Sequence, residues 1–430
     1  MNEELLQFIW KFGLFKSYKV YGEVDEIFEI LNRGVQNKNA GPDFFGARIK
    51  FGTTIWAGNV EIHLKASDWY THGHHTDKAY NNVILQVVTE FDKEVETQNG
   101  RTIPVLEIEI DKSLEKKHLE FKKNLKWIPC QQDIKNVDDF KLKLWLGNIL
   151  IERLGEKSEL IKNLLIQNKN NWEETFYQLL ARNFGFKVNA EPFEWLAKSL
   201  PVKYLAKHKN NSNQIEALFF GQAGFLEERL EDEYYQSLKK EYEFLKAKYQ
   251  LTPLEKYLWK FLRLRPFNFP TLRISQFAML TGKSNSLFSN VIDCGNLQEI
   301  KNLFQCGTSD YWDEHFIFGK KVPSKKKVLG NESINNILIN TVIPVIFVYG
   351  AETGNEKLKE KSLNYLEELK PEKNNIISNW KETGIKVESA FYSQALLQLK
   401  SAYCNATKCL QCGVGIEILK NQYSNKSMED

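Results

Sequence analysis

The chain is poor in the features that mark secreted or strongly polyanion-coating proteins. Its 430 residues include only 6 cysteines, and 58 basic residues nearly balance 55 acidic ones. Six cysteines are too few for a secreted disulfide scaffold, which favours a reducing, cytoplasmic location. The net charge of +3 is small, so contact with nucleic acid would have to come from a local basic patch.

Long apolar runs are also missing from the sequence. The longest candidate, residues 337–349, contains Asn340, Thr341 and Pro344 and is shorter than the about 18 residues that a bilayer span requires. The N-terminus carries acidic residues early and has no small-residue cleavage site, unlike a secretion signal. We therefore expect a cytoplasmic protein with no membrane partner.

Apolar residues make up 42% of the chain and aromatic residues 13%, which is enough to bury real cores. Strand-like patterns flank a turn near Gly52, and a continuous apolar run over residues 82–89 is typical of a strand buried on both faces. After residue 111 most segments have helical periodicity. The sequence predicts an α+β fold with an N-terminal mixed-sheet α/β domain (1–130), a large mostly α-helical domain (131–420) and a flexible tail (421–430).

Chemistry-bearing side chains cluster on the first predicted strands. Glu61, His63 and Lys65 alternate along one face of a strand, and Asp43 precedes the strand before it. With a hairpin turn near Thr53, Asp43 should lie opposite His63 and diagonal to Glu61. Two such carboxylates can hold Mg²⁺ or Mn²⁺, and a nearby Lys or His can position the attacking water.

A second group of polar side chains follows directly. Three histidines lie within four positions of a glycine-containing loop, where they could bind a metal or contact a substrate. The alternative is a solvated turn whose histidines only form hydrogen bonds. Gln86 interrupts an apolar strand, and a buried amide there requires a partner. The residues expected to contact substrate or to support the metal ligands are Asn39, Asp68, His72, His74, His75 and Gln86.

Cysteines form another candidate site. Cys404, Cys409 and Cys412 are closely spaced, and the Cys-x2-Cys pair is followed by glycine, as in metal-binding knuckles. Cys130 is the best candidate for a fourth ligand. The site could hold zinc or an iron–sulfur cluster, or the thiols could simply pack against the last helix.

Arginines interleave with phenylalanines further along the chain. Arg263, Arg265 and Arg273 could form forked contacts with phosphates while the neighbouring rings stack on bases, which predicts a nucleic-acid contact. The alternative is that these arginines close ion pairs with acid-rich helices.

The order Pro42-Asp43, followed by Glu61-x-His63, resembles the core motif of the PD-(D/E)xK nuclease superfamily, with His63 where lysine is usual. The resemblance implies a restriction-endonuclease-like domain in which Asp43 and Glu61 hold the metal and His63 or Lys65 positions the water. It implies a metal-dependent nuclease or phosphodiesterase acting on nucleic acid. Two alternatives are a non-catalytic nucleic-acid-binding or scaffold protein on a degenerate nuclease fold, and a metallohydrolase with the loop histidines as primary ligands.

Longer segments resemble an uncharacterised bacterial family known only as a domain of unknown function. The similarity begins in the runs GPDF, GNVEIHLKASDWYTHGHH and AYNNVIL. It continues in RNFGFKVN (182–189), IEALFFGQAGFL (215–226), LRPFNFPTLRISQ (264–276) and YCNATKCLQCGVG (403–415). This resemblance covers most of the chain but implies no particular activity.

Overall fold

A computed structural model of the chain describes residues 1–22, 28–123, 126–209, 211–284 and 286–426. The chain forms two compact units. The sheet unit comprises Met1–Leu146, Glu382–Ile385 and Gln398–Asp430, and the helical unit comprises Gly147–Lys381 and Lys386–Leu397. The first boundary between the units, after Leu146, therefore lies beyond the domain boundary expected at residue 130. The cysteine-containing C-terminal segment belongs to the sheet unit, whereas the sequence placed it in the helical domain.

The sheet unit is built around a mixed sheet. Its strands are β1 (Phe15–Tyr21), β2 (Phe28–Asn32), β3 (Val35–Gln36), β4 (Phe44–Phe51), β5 (Thr54–Ile62), β6 (Val83–Val88), β7 (Val95–Glu96), β8 (Thr102–Ile103) and β9 (Val105–Ile110). The sheet order is β1-β9-β6-β5-β4-β2, β3 pairs with β4, and β7 and β8 form a separate pair. Strands β5, β6 and β9 are parallel neighbours. The central strand β6 is buried along its whole length, as its apolar run predicted.

Helices dominate the rest of the chain. They are α1 (Glu3–Phe12), α2 (Asp68–Thr71), α3 (Lys112–Lys123), α4 (Asp139–Gln167), α5 (Trp172–Phe184), α6 (Ala190–Ser199), α7 (Val202–Leu205), α8 (Ser212–Gln222), α9 (Glu233–Tyr249), α10 (Pro270–Lys283), α11 (Leu287–Asp293), α12 (Leu297–Leu303), α13 (Asn331–Ile337), α14 (Ile343–Glu352), α15 (Glu356–Glu368), α16 (Asn375–Glu382), α17 (Ala390–Gln398) and α18 (Gly413–Lys426). The predicted α+β class, with a mixed sheet followed by a large helical region, is confirmed. Helix α18 extends into the segment expected to be a loose tail, and residues 427–430 lie outside the described residues.

One continuous helix, Asn331–Glu352, is 22 residues long and apolar enough to cross a membrane. It consists of α13, a π-helical turn over Leu338–Val342, and α14. The helix is longer than the apolar run at residues 337–349 because it begins six residues earlier, at Asn331. Within the structure 67% of its most apolar stretch is buried, as in the core helix of a soluble protein.

The β4–β5 hairpin sets the position of the acidic motif. Phe44 pairs with Val60, so Asp43 comes opposite Glu61 and not opposite the histidine two positions further on. The expected register was wrong by two residues, because the centre of the turn and a bulge near Gly46 each shift the pairing by one. Gly46 has a φ of 68°, a left-handed conformation that glycine adopts without strain.

Helix α1 belongs to the sheet unit and buries one of its faces there. The Asn2 side chain caps its first turn by accepting a hydrogen bond from the Leu5 N–H at 3.2 Å, and Gly13 ends the helix with a φ of 67°. The buried face consists of Leu5, Leu6, Phe8, Ile9 and Trp10. The polar edge presents Glu3 and Gln7, which are one helical turn apart.

Candidate metal centre

Two carboxylates meet where β4 begins and β5 ends. The Asp43 backbone N–H donates to Glu61 Oε2 at 3.0 Å, and Asp43 Oδ2 accepts from the Ile62 N–H at 3.0 Å. The second Asp43 oxygen, Oδ1, accepts from Gln7 Nε2 at 2.8 Å. Both Asp43 oxygens therefore have donors, whereas Glu61 keeps its Oε1 for a different set of neighbours.

Those neighbours are histidine rings. Glu61 Oε1 lies 3.2 Å from His74 Nε2 and 3.7 Å from His63 Nε2. His63 Nε2 lies 3.2 Å from His72 Nδ1, and the donor nitrogens of the three histidines are all within 4.8 Å of one another. Two nitrogens on one tetrahedral zinc ion, each about 2.1 Å from the metal, are about 3.4 Å apart. The three histidines are therefore close enough to share one metal ion, and Glu61 Oε1 lies beside two of them.

The donor atoms themselves fit a metal ion. His74 Nε2 is buried without a hydrogen-bond partner, although Glu61 Oε1 is near, because the two atoms are not aligned for a hydrogen bond. An unsatisfied buried nitrogen is costly, and coordination to a metal would satisfy it. Three imidazoles and one carboxylate suit Zn²⁺ and other first-row transition ions better than Mg²⁺.

The electrostatics keep one of these ligands neutral. Burial, together with the neighbouring His74 and His72 rings, lowers the pKa of His63 to about 3. A neutral imidazole retains a lone pair on one nitrogen, so metal binding by His63 requires no net loss of a proton at physiological pH.

The acid beside the cluster is shifted in the opposite direction. Burial raises the pKa of Asp43 to about 7, and the nearby Glu61 carboxylate contributes to the rise. The hydrogen bonds from Ile62 and Gln7 act against this shift, because they stabilise the charged form.

Gln86 supports His63 from the neighbouring strand β6. Its amide Nε2 lies 2.8 Å from His63 Nδ1 and 3.2 Å from the Ala66 carbonyl oxygen, and it can only donate to both. In this arrangement the proton of neutral His63 is on Nε2, which faces His72. The Gln86 carbonyl oxygen is buried without a hydrogen-bond partner. A half-turn of the amide would bring that oxygen to His63 Nδ1, move the ring proton there and free Nε2 for a metal.

Aromatic rings form the inner wall of the site. Tyr80 stacks on His74 with ring centroids 3.8 Å apart, and the fully buried Trp69 contacts His74 and His63 edge-on. Burial raises the pKa of Tyr80 to about 12, with Glu61 and Asp43 adding to the rise. On the opposite side His72 is exposed, so the cluster faces solvent at this ligand.

Helix α1 contributes two side chains that the sequence analysis missed. Besides Gln7, it places Glu3 near the histidines: burial raises the pKa of Glu3, His72 lowers it, and Asp68 and Glu61 raise it. The spacing of Glu3 and Gln7 on the polar edge of an amphipathic helix was the available signal. Tyr80 was missed as well, and nothing in its local sequence distinguishes it from a core tyrosine.

Lys65 lies apart from the histidine cluster. It is exposed, and its Nζ pairs with Glu90 Oε1 at 2.8 Å. Asp68 instead shapes the loop, since its Oδ2 accepts from the Lys65 N–H at 3.0 Å. The structure therefore places Asp68 at the edge of the site and gives Lys65 a different partner.

His75 and Asn39 are also outside the group of converging donors. The His75 ring packs against Tyr70 at 5.0 Å, and only His63, His72 and His74 come together. Asn39 is exposed in the loop before β4, and its backbone is held by the Asn37 side chain.

The three arginines expected to contact nucleic acid differ in their surroundings. Arg273 is 5% exposed and donates to Asn268, Gln276 and Ser333. Burial lowers its pKa to about 10. The guanidinium of Arg273 is therefore used inside the helical unit, through neutral partners and not through the ion pairs that the alternative expected. Arg263 and Arg265 are exposed.

Residues 3–375 match the model of the family described as "Protein of unknown function (DUF2851)". Because the match spans most of the chain, the protein belongs to this family, and the family resemblance seen in the sequence is confirmed. The match ends before the C-terminal cysteine segment, and the family description assigns no activity. No curated protein and no solved structure shows a significant match to the chain.

Proposed function

We propose that this protein is a metal-dependent hydrolase that binds its metal ion through Glu61, His63, His72 and His74 and cleaves phosphodiesters. The observation that carries the proposal is the convergence of three histidine donors, from the end of β5 and the loop after it, with Glu61 Oε1 beside His63 and His74. The expected ligand pair of Asp43 and Glu61 is replaced by one carboxylate and three imidazoles, with Asp43 holding Glu61 in place.

Hydrolysis suits this ligand set for a chemical reason. A bound Zn²⁺ or similar ion polarises a substrate oxygen and lowers the pKa of a coordinated water to about 7. The exposed position of His72 gives substrate and water a route to that ion. The Tyr80 and Trp69 rings close the opposite side and hold His74 and His63 in fixed orientations.

Phosphodiesters are the substrate class that the arrangement of the two acids favours. The proposal is supported by the resemblance of Pro42-Asp43 and Glu61-x-His63 to the motif of a phosphodiester-cleaving superfamily, and by the position of Asp43 opposite Glu61 on a hairpin next to parallel strands. Without a metal, the Asp43, Glu61 and Glu3 carboxyl groups would repel a phosphate. We therefore expect substrate binding to depend strictly on metal.

Metal binding is tested first with a matched pair of histidine variants. His72→Ala removes an exposed ligand, so the fold should survive. Loss of a residue that supports a metal ligand typically weakens metal binding by about 10–100-fold. Loss of the ligand His72 itself should weaken the binding of Zn²⁺ or Mn²⁺ by more than this. His75→Ala is the control, because His75 lies three positions away and outside the cluster. Calorimetric titration and elemental analysis give the result. Equal metal binding by the two variants would show that the site assignment is wrong.

Activity is tested on bis(p-nitrophenyl) phosphate and on single- and double-stranded DNA and RNA, with each metal. Turnover by the wild type that is lost in Glu61→Gln and His72→Ala, but kept in His75→Ala, is the expected result. Cleavage that persists in both ligand variants would contradict the proposed active site.

A second candidate function is a non-catalytic scaffold in which the metal only stabilises the sheet unit. It is favoured by the hydrogen bonds to both Asp43 oxygens and by a set of four protein ligands, which is typical of closed structural sites. Metal binding at Glu61 and the three histidines without turnover of any of these substrates would support this function over the first.

A further inference from the structure

Four of the six cysteines form a second cluster, within the sheet unit. Cys130 lies between α3 and α4, while Cys404, Cys409 and Cys412 precede α18. The 3₁₀ turn Ile134–Asn136, which follows Cys130, contacts α18, and so does α3, which precedes Cys130. Because α18 begins directly after Cys412, these contacts bring the two cysteine-containing segments together. Burial raises the pKa of the Cys130 thiol well above its usual range, and the other three thiols add to the rise. All are free thiols; Cys404 is half-buried and the other three are buried.

The backbone around Cys412 is shaped to hold a charged sulfur. Hydrogen bonding from the backbone of Gly415 and Val414, in the first turn of α18, acts to lower the pKa of the Cys412 thiol against the larger effect of burial. The preceding residues, Cys409–Gln411, form one 3₁₀ turn, and the Cys412 N–H donates to the Cys409 carbonyl at 3.3 Å. Amides directed at a sulfur stabilise a thiolate far more than a thiol.

Glycine is required for this turn to close. A Cβ on Gly415 would lie 2.2 Å from the Cys409 carbonyl oxygen, and a Cβ on Gly413 would lie 2.6 Å from the Trp145 ring. The first turn of α18 therefore folds back onto the Cys409–Cys412 loop only because these positions lack side chains. This tight backbone turn, with the Cys-x2-Cys spacing and a following glycine, matches the pattern of a metal-binding knuckle.

We propose that Cys130, Cys404, Cys409 and Cys412 bind a soft metal centre as four thiolates, separately from the histidine site and independently of the proposed hydrolase function. Metal binding would displace the thiol protons and join the loop after α3 to the C-terminal segment. Simple core packing explains the burial of the sulfurs. It does not explain why four thiols from two distant segments, the loop after α3 and the C-terminal segment, come together.

Four cysteine thiolates can bind either a zinc ion or an iron–sulfur cluster. Among the residues that the structure describes, the histidines are the group whose donor atoms all lie within 4.8 Å of one another, so the sulfurs form a wider set. A cluster of several irons would fill this wider set directly, whereas a single zinc ion would draw the knuckle inwards.

The first test uses the full chain purified without chelator, under anaerobic conditions. Elemental analysis should find zinc or iron beyond the metal bound by the histidines, and visible absorption separates a coloured iron–sulfur cluster from colourless zinc. Native thiol titration should leave four thiols protected, and these should react once the metal is removed. Metal-free thiols that react at once, or that are paired in disulfides, would overturn the proposal. So would a wild type that takes up neither Zn²⁺ nor iron and sulfide at these thiols.

The second test uses matched substitutions. Cys404→Ser and Cys412→Ser should each abolish binding of this metal, while Cys294→Ser, a half-buried thiol of the helical unit, should leave it unchanged. His72→Ala should also leave it unchanged, which separates this site from the histidine site. If either cysteine variant fails to fold, Co²⁺ is added to the metal-free wild type instead. Thiolate-to-cobalt charge-transfer bands would support four sulfur ligands, and the absence of these bands would contradict the proposal.

Discussion

A buried histidine occupies the position where the resembled nuclease motif carries lysine, and it cannot supply the same charge. The pKa of His63 is lowered to about 3 by burial and the adjacent histidines, so the ring is neutral at physiological pH. Lys65 does not replace the missing cation, because it is exposed and paired with Glu90. His63 therefore suits metal coordination better than charge stabilisation.

Gln86 should control the strength of metal binding at the histidine site. In Gln86→Leu, His63 Nδ1 loses its partner, and the metal affinity should fall by about 10–100-fold. In Gln86→Glu, the carboxylate can accept the His63 Nδ1 proton without any rotation and leaves Nε2 free, so the affinity should be retained or increased. Calorimetric titration of both variants with Zn²⁺ checks this, and equal losses in the two would contradict the supporting role.

Asp43 should make the stability of the metal-free protein depend on pH. Its folded-state pKa of about 7 lies above the usual 3.8, so the folded protein holds this proton more tightly than the unfolded chain does. That stabilisation is fully present below about pH 4 and is lost as the pH rises towards 7. Urea denaturation of chelator-treated protein should show a smaller loss of unfolding free energy from pH 5 to 8 in Asp43→Asn than in the wild type. An exposed control, Asp139→Asn, should follow the wild type.

At the scale of elements, the site depends on a hairpin and on a helix far from it in sequence. The β4–β5 register brings Asp43 opposite Glu61, and the tight approach of β5 to β6 positions Gln86. A Cβ on Gly58 would lie 2.4 Å from the Ile84 side chain, so glycine permits that approach. Helix α1 then contributes Gln7 to Asp43 and places Glu3 nearby.

Loss of the α1 cap should therefore affect both stability and the site. Asn2→Ala removes the acceptor for the Leu5 N–H and should lower the free energy of unfolding by about 1 kcal/mol. Because α1 carries Glu3 and Gln7, metal affinity should also fall slightly. Urea denaturation measures the first effect. Asn2→Asp, which keeps an oxygen acceptor, should stay close to the wild type, and a loss as large as that of Asn2→Ala would show that the cap is not responsible.

At the scale of the whole molecule, the net charge is small, and several basic side chains are already bonded within the helical unit. Arg273 is buried, and Lys327 donates to backbone carbonyls inside the helical unit. Lys326 pairs with Asp310 and Asp313. Of the basic residues singled out in the sequence for nucleic acid, Arg263 and Arg265 are exposed on the helical unit, so nucleic-acid contact by this unit would rest on few side chains.

Several properties followed from local sequence alone. Strand β6 was predictable because six consecutive mostly apolar residues are typical of a strand buried on both faces, and the change from strand to helical periodicity predicted the α+β class. The family was also recognisable from short runs of the chain. The histidines between positions 63 and 75 stood out as candidate ligands because chemistry-bearing residues were concentrated there.

Tertiary structure decided which of those residues act together. Strand register depends on a bulge and on the centre of a turn, which shift pairing by single residues and leave only weak sequence signals. Selection of His72 and His74 over His75 depends on how a short loop folds onto the end of β5. Glu3, Gln7 and Tyr80 reach the site from other elements, and Cys130 meets the C-terminal cysteines across more than half of the chain. Such long-range contacts arise from packing, so composition and periodicity could suggest candidate ligands but could not assemble the site.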